Sequence, residues 1–257
     1  PIDATVGEGR LQASPLVRLD PPPSLATLTP GQVISNVRVT PEVSNKLLKY
    51  IAPALAETTR SEGLFSLRLD QTTIPLAEPA RADISGELTI HSAQVHPGAM
   101  VAQWTSLARE VEWLAKGMDP TGFLNRESNA TPVTLVSITD QKVKFRLVNG
   151  RVHSEGLDFN VRNVTRRTSG SVGLDETLQL TLELPIQDRW IEGRPLLVSL
   201  RGKSIKIPVL GTFRNWKIDR GALAGLSRQM LQGTAQEVIG NELNRALDGL
   251  FKPKPKP

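Results

Sequence analysis

The chain has three histidines, His91, His96 and His153, and no cysteine. Disulfides, thiolate metal sites and thiol nucleophiles are therefore excluded, and the composition is compatible with an oxidising envelope compartment. His91 and His96 stand five apart across the end of a predicted strand. That is not a zinc-ligand spacing, and no paired carboxylates accompany them, so they read as surface or cap histidines with no metal site. Gly202-Lys203-Ser204 resembles the end of a phosphate-binding loop, but Leu197 occupies the position of the required glycine and a strand precedes it. Gly7-Glu8-Gly9 lacks the third glycine of a dinucleotide fingerprint and reads as a bulge or turn. There is no Gly-x-Ser-x-Gly elbow. The sequence predicts no catalytic residues, no cofactor and no enzyme.

Charge narrows the partners further. The formal net charge is +5, but Lys252, Lys254 and Lys256 of the terminal Lys-Pro repeat supply three of those charges. A nearly balanced body with 4% aromatic residues does not have the clustered basic surface and stacking rings that nucleic acid requires. Arg162, Arg166 and Arg167 read as a solvated strand face, with anionic head groups as the alternative contact. The triplets Asn129-Ala130-Thr131 and Asn163-Val164-Thr165 are chance-level glycosylation matches. At 257 residues and 39% hydrophobic the chain can bury its own core. Its longest apolar run, 51–56, is broken by Pro53 and far shorter than the roughly 20 residues that span a bilayer. The chain opens on Pro1 without a leader and reads as a piece of a longer protein, whose membrane anchor would lie upstream.

Period-2 alternation dominates the chain. Val143, Phe145 and Leu147 alternate with Lys142, Lys144 and Arg146, and Leu178, Leu180, Leu182 and Leu184 alternate with Gln179, Thr181 and Glu183. Strands are predicted over 32–40, 63–70, 83–95, 156–162, 168–174, 177–186 and 204–213, after a β-like opening at 4–20 and a break at Pro21 to Pro23. Asn149-Gly150 is a hairpin signal. Three amphipathic helices are predicted. The first starts at Thr40-Pro41 with the stripe Val43, Leu47, Ile51 and Leu55, and Pro53 should kink or shorten it. The second opens near Pro97 with Met100, Trp104, Leu107, Val111 and Leu114. The third and longest runs over about 221–251. Three short strands, ending at Thr40, His96 and Asp219, each run into one of these helices. Three units follow: 1–130, a β and helix unit; 131–251, a β unit with the terminal helix; and 252–257, an unfoldable Lys-Pro tail.

From Asn149 onward, the order Asn149-Gly150-Arg151-Val152, Ser169-Gly170-Ser171-Val172-Gly173-Leu174-Asp175, the 178–186 strand with Pro185, Ile207-Pro208-Val209-Leu210-Gly211-Thr212 and a long final helix resembles the C-terminal region of the AsmA-like family of bacterial envelope proteins. The likeness covers about 100 of the 257 residues, and Asn215-Trp216 stands where the family often has a proline. The resemblance implies an α+β fold of mainly antiparallel sheet, curled into a taco-like groove and capped by helices. It also implies a non-enzymatic role in outer-membrane lipid homeostasis and phospholipid transport, in the periplasm or envelope of a Gram-negative-type bacterium, with the parent protein anchored in the inner membrane. On that reading Phe145, Leu147, Leu157, Phe159, Leu178, Leu180 and Leu182 line an acyl-chain groove, closed at one end by the helix from Gly221. Leu180→Asp should then abolish lipid capture without unfolding the chain. The alternative is a scaffold that binds another envelope protein, with the same faces packed as a closed core and no lipid.

Overall fold

The alternating segments form one open, curved antiparallel sheet. The structure is a computed structural model that describes residues 1–58, 60–96, 98–102, 104, 136–161, 164–186, 188 and 201–218. Its strands are β1 (Ile2–Val6), β2 (Gly9–Ala13), β3 (Pro15–Arg18), β4 (Leu25–Leu28), β5 (Gly31–Arg38), β6 (Arg60–Pro75), β7 (Asp83–His96), β8 (Val136–Val148), β9 (Arg151–Val161), β10 (Val164–Gly173), β11 (Thr177–Pro185), β12 (Ser204–Thr212) and β13 (Trp216–Ile218). The spatial order is β1-β2-β5 and then every later strand in turn, with β3 paired to β4 and β4 joined to the end of β6. β7 pairs with β8 from Ile84↔Leu147 to Val95↔Val136, so the sheet is continuous across the predicted unit boundary at residue 130.

Turn chemistry follows the residues. Asn149 and Gly150 have φ of +49° and +70° and close the β8–β9 hairpin, as a type I′ turn requires. Gly7 and Glu8, with φ of +51° and +70°, do the same between β1 and β2, so the glycine pair is a hairpin turn. A Cβ on Gly150 would meet only the Ala80 carbonyl oxygen, at 3.7 Å, leaving backbone strain as the sole obstacle. Gly150→Ala is therefore expected to lower stability by about 1 kcal/mol, read as a shift of the urea midpoint at unchanged slope.

The two faces of the sheet differ sharply. The outer face carries ion pairs between neighbouring strands: Arg146 with Asp83 at 2.7 Å, Arg167 with Asp158 at 3.4 Å, Lys142 with Glu87 at 3.6 Å and Lys206 with Glu183 at 3.7 Å. Such exposed pairs fix register more than they stabilise. The inner face holds the apolar core, including Phe65, Leu88, Ile90, Val143, Leu157, Phe159, Leu182 and Val209.

One described segment crosses that inner face. Between β5 and β6, which are paired neighbours, the chain forms a helical turn at Pro41–Val43, a π-helical run at Ser44–Leu48, a turn at Lys49–Ile51 and a 3-10 turn at Pro53–Leu55. Thr40 caps it by accepting the Val43 amide at 3.2 Å, as the sequence predicts, and the helix stops before Pro53. Residues 49–51 pack on β9 and β10, well along the sheet from the strands that deliver them. The predicted stripe holds at Val43, Ile51 and Leu55 and fails at one position: Leu47 is exposed and Leu48 is fully buried in its place. The π-helical run takes more residues per turn, which rotates Leu48 into the place that an α-helix would give Leu47.

Residues 99–102 and 104 are also helical and bury Met100, Val101 and Trp104, the opening of the second predicted helix. The rest of that helix, the whole third helix and the Lys-Pro tail lie outside the described residues. Among the described residues the fold is thus mainly sheet with short helical pieces, and the expected set of three helices ending in a long C-terminal one is not shown.

Candidate apolar track on the inner face of the sheet

Residues directly opposite one another in a sheet share a face, so register decides which side chains meet. One row across the strands reads Leu69, Gly86, Phe145, Ser154, Gly170, Leu180 and Val209. The next reads Ile84, Leu147, Val152, Val172, Leu178, Gly211 and Trp216. A third joins Leu157, Thr168, Leu182 and Ile207. Phe159 faces Arg166 one step further along β9 and β10. The seven residues predicted from alternation therefore lie together on one face in adjoining rows. From β8 to β12 this surface spans about 19 Å at the usual strand spacing. A single acyl chain occupies roughly half of a 30 Å hydrocarbon core, so the track is long enough for one.

The track is covered in this structure. Leu157, Phe159, Leu178, Leu180 and Leu182 are at most 3% exposed, Phe145 is 9% exposed, and Leu147 is half-buried at the rim. Leu48, Ala52, Ala54 and Leu55 of the crossing segment are fully buried in the same cluster.

At the middle of that segment, the Lys49 ammonium donates to a Glu176 carboxylate oxygen at 2.6 Å, in the β10–β11 turn, and lies 5.5 Å from the centre of the Phe213 ring. The Lys49 hydrogen bond, then its charge, holds the Glu176 carboxyl below its ordinary value of 4.5, with a smaller contribution from Arg214 and burial opposing. Because the folded pKa is depressed, the pair's contribution is complete above the unfolded pKa and is lost as pH falls through the folded one. The stability difference between the wild type and Glu176→Gln should be flat from pH 7 to about pH 5 and shrink progressively as pH falls below the ordinary carboxylate value of 4.5. With Glu176 partly exposed, its plateau should stay under about 1 kcal/mol. Denaturation at a series of pH values measures it.

Two polar features differ from the sequence expectation. Arg166, expected on a solvated face, is 5% exposed on the inner face, where its Nη1 donates to the Val161 carbonyl at 3.1 Å. Its odd neighbours in the alternation, Thr165 and Arg167, are exposed, so period 2 places Arg166 inward. His91, expected at the surface or a cap, shares a 2.8 Å hydrogen bond between its Nε2 and Ser66 Oγ, which also accepts the Asn36 amide at 3.0 Å. A serine beside an imidazole is the pair from which nucleophiles are made. Here Asn36 has φ of +52°, and the contact pins the irregular β5–β6 register around it. His96 sits opposite Arg60 at the end of β7, and His153 is exposed opposite Arg146. Gly202-Lys203-Ser204 leads into β12, a strand, which does not support a phosphate loop. Among the described residues no cluster of three metal-ligating side chains occurs, and no described helix is long and apolar enough to cross a membrane.

No family model matches this chain, and no curated protein or solved structure matches it either.

Proposed function

We propose that this chain is a non-catalytic module of the bacterial cell envelope that holds or passes phospholipid acyl chains along the inner face of its sheet, as its AsmA-like sequence pattern implies. The observation that carries this reading is the seven-residue track: adjoining, largely apolar rows on one curved face, with the inter-strand ion pairs on the other and Arg166 as the charged side chain among the described residues of β10 that is buried beside it. Lipid tails need a continuous apolar surface and no specific recognition residue, and one-sided strands supply that. On this reading the sheet forms a taco-like groove that the terminal helix closes at one end. The module faces the periplasm of a Gram-negative-type envelope, and a longer parent protein anchors it to the inner membrane.

Native mass spectrometry with lipid extraction, on protein purified without detergent from a bacterial host, tests the proposal. Near-stoichiometric phospholipid is the expected result. A clean apo mass, together with no uptake of added lipid, would replace this reading with the scaffold one. One observation favours that second reading: Leu16, Val17 and Leu19, in and beside the outlying strand β3, are each more than half exposed, an apolar surface that fits another envelope protein.

A further inference from the structure

The segment 41–55 is built differently from the rest of the core. Its two ends are clasped together, with the Val39 amide donating to the Gly63 carbonyl at 2.9 Å and Ser61 Oγ donating to the Val39 carbonyl at 3.3 Å. Its middle reaches β9 and β10, and there the Lys49–Glu176 ion pair ties it to the far side of the sheet.

Inside it, a π-helical run is followed by the Ala52-Pro53 break, and Glu57 leaves it with φ of +56°. Its secondary structure is therefore weak by itself, and packing on the sheet holds it. That packing is imperfect. Buried Ser44 Oγ within the segment, Thr58 Oγ1 just after it and Thr168 Oγ1 on the inner face of β10 have no hydrogen-bond partner among the described residues. A buried hydroxyl without a partner penalises the closed arrangement relative to one that water can reach. A neck at one end, one ionic tie at the tip and an underside with unmet hydroxyls describe a flap.

We propose that segment 41–55 is a hinged strap over the acyl-chain track, pivoting at the β5–β6 neck and latched at its tip by Lys49 and Glu176, and that it must lift for a phospholipid tail to enter. This rests on the lipid-track reading above. It adds the route of entry: the tail comes in beneath the strap, between residues 49–55 and the strands β9 and β10 on which they pack, instead of threading from an end of the sheet.

The absence of native cysteine makes the test direct. A Lys49→Cys, Glu176→Cys double variant is cross-linked with a cleavable bis-maleimide. It is compared with the wild type, Lys49→Gln and Glu176→Gln for uptake of a pyrene-acyl phospholipid from vesicles of phosphatidylethanolamine and phosphatidylglycerol. Each glutamine variant should speed uptake about two- to fivefold, the effect of losing one partly exposed ion pair. The cross-linked protein should take up none and, once the linker is cleaved, should take up lipid as fast as the uncross-linked double variant and the glutamine variants, which separates locking from misfolding. Uptake by the cross-linked form at the wild-type rate would make the strap a fixed part of the core and overturn its gating role while leaving the lipid track standing. Failure of every form to take up lipid would overturn the lipid track and the gate with it.

Discussion

Leu180→Asp is expected to cost this protein about 4–5 kcal/mol and, in a domain of ordinary stability, to abolish its cooperative thermal transition. Leu180 is 3% exposed and stands in a row between Gly170 and Val209, beside the leucines of its own strand. A carboxylate there loses both the burial of a leucine and its own hydration, and raising its pKa relieves only part of the cost. The open-groove reading drawn from the sequence implies the opposite result, a folded protein that has lost only its lipid, because an open groove would leave residue 180 in contact with water. The burial of this face makes the difference. A variant that keeps its urea midpoint within about 1 kcal/mol of wild type would mean that this face is wet in solution.

Gly170→Val should be nearly as damaging, for a reason that has nothing to do with ligands. Gly170 has φ of +126°, where a side chain is strained, and its Cβ would lie 2.2 Å from the Gln179 carbonyl oxygen and 3.0 Å from Leu180 Cα. The register between β9 and β10 shifts at this point, between Thr168 and Gly170. Backbone strain and displacement of β11 together predict a loss of about 3 kcal/mol or more, with β10 and β11 losing amide-exchange protection together. Wild-type stability would show that the bulge can be absorbed elsewhere.

Gly170 also illustrates what the sequence carried. The run from Ser169 to Asp175 is a structural device: Gly170 serves the bulge, a Cβ on Gly173 would strike the Asp175 carboxylate at 2.1 Å, and that carboxylate accepts the Thr177 amide at 3.1 Å to hold the turn into β11. The motif therefore encodes a bend and a hairpin, and would recur wherever a curved antiparallel sheet needs them. Alternation likewise revealed which residues of β8 and β11 face inward, because facing is a local property of period 2. It did not reveal that Phe145 and Leu180 share a row, since that depends on the pairing of intervening strands. The Ser66–His91 contact was hidden for the same reason, lying across β6 and β7. The first helix was legible from Thr40 to the Pro53 stop, yet neither its π-helical run nor its destination on β9 and β10 has a local signature. Hydrophobic spacing says that a face must be covered, not by what.

The route of the strap also bears on how the chain is made. From β5 on, each strand pairs with one just made or soon to follow, so the sheet can grow hairpin by hairpin as the polypeptide leaves the ribosome. Residues 49–55 are synthesised early, but their partners in β9 and β10 emerge roughly a hundred residues later, a delay on the order of 5–20 s at ordinary rates of translation. Throughout that interval the nascent chain displays a greasy segment with nowhere to dock, and a holdase chaperone should find it there.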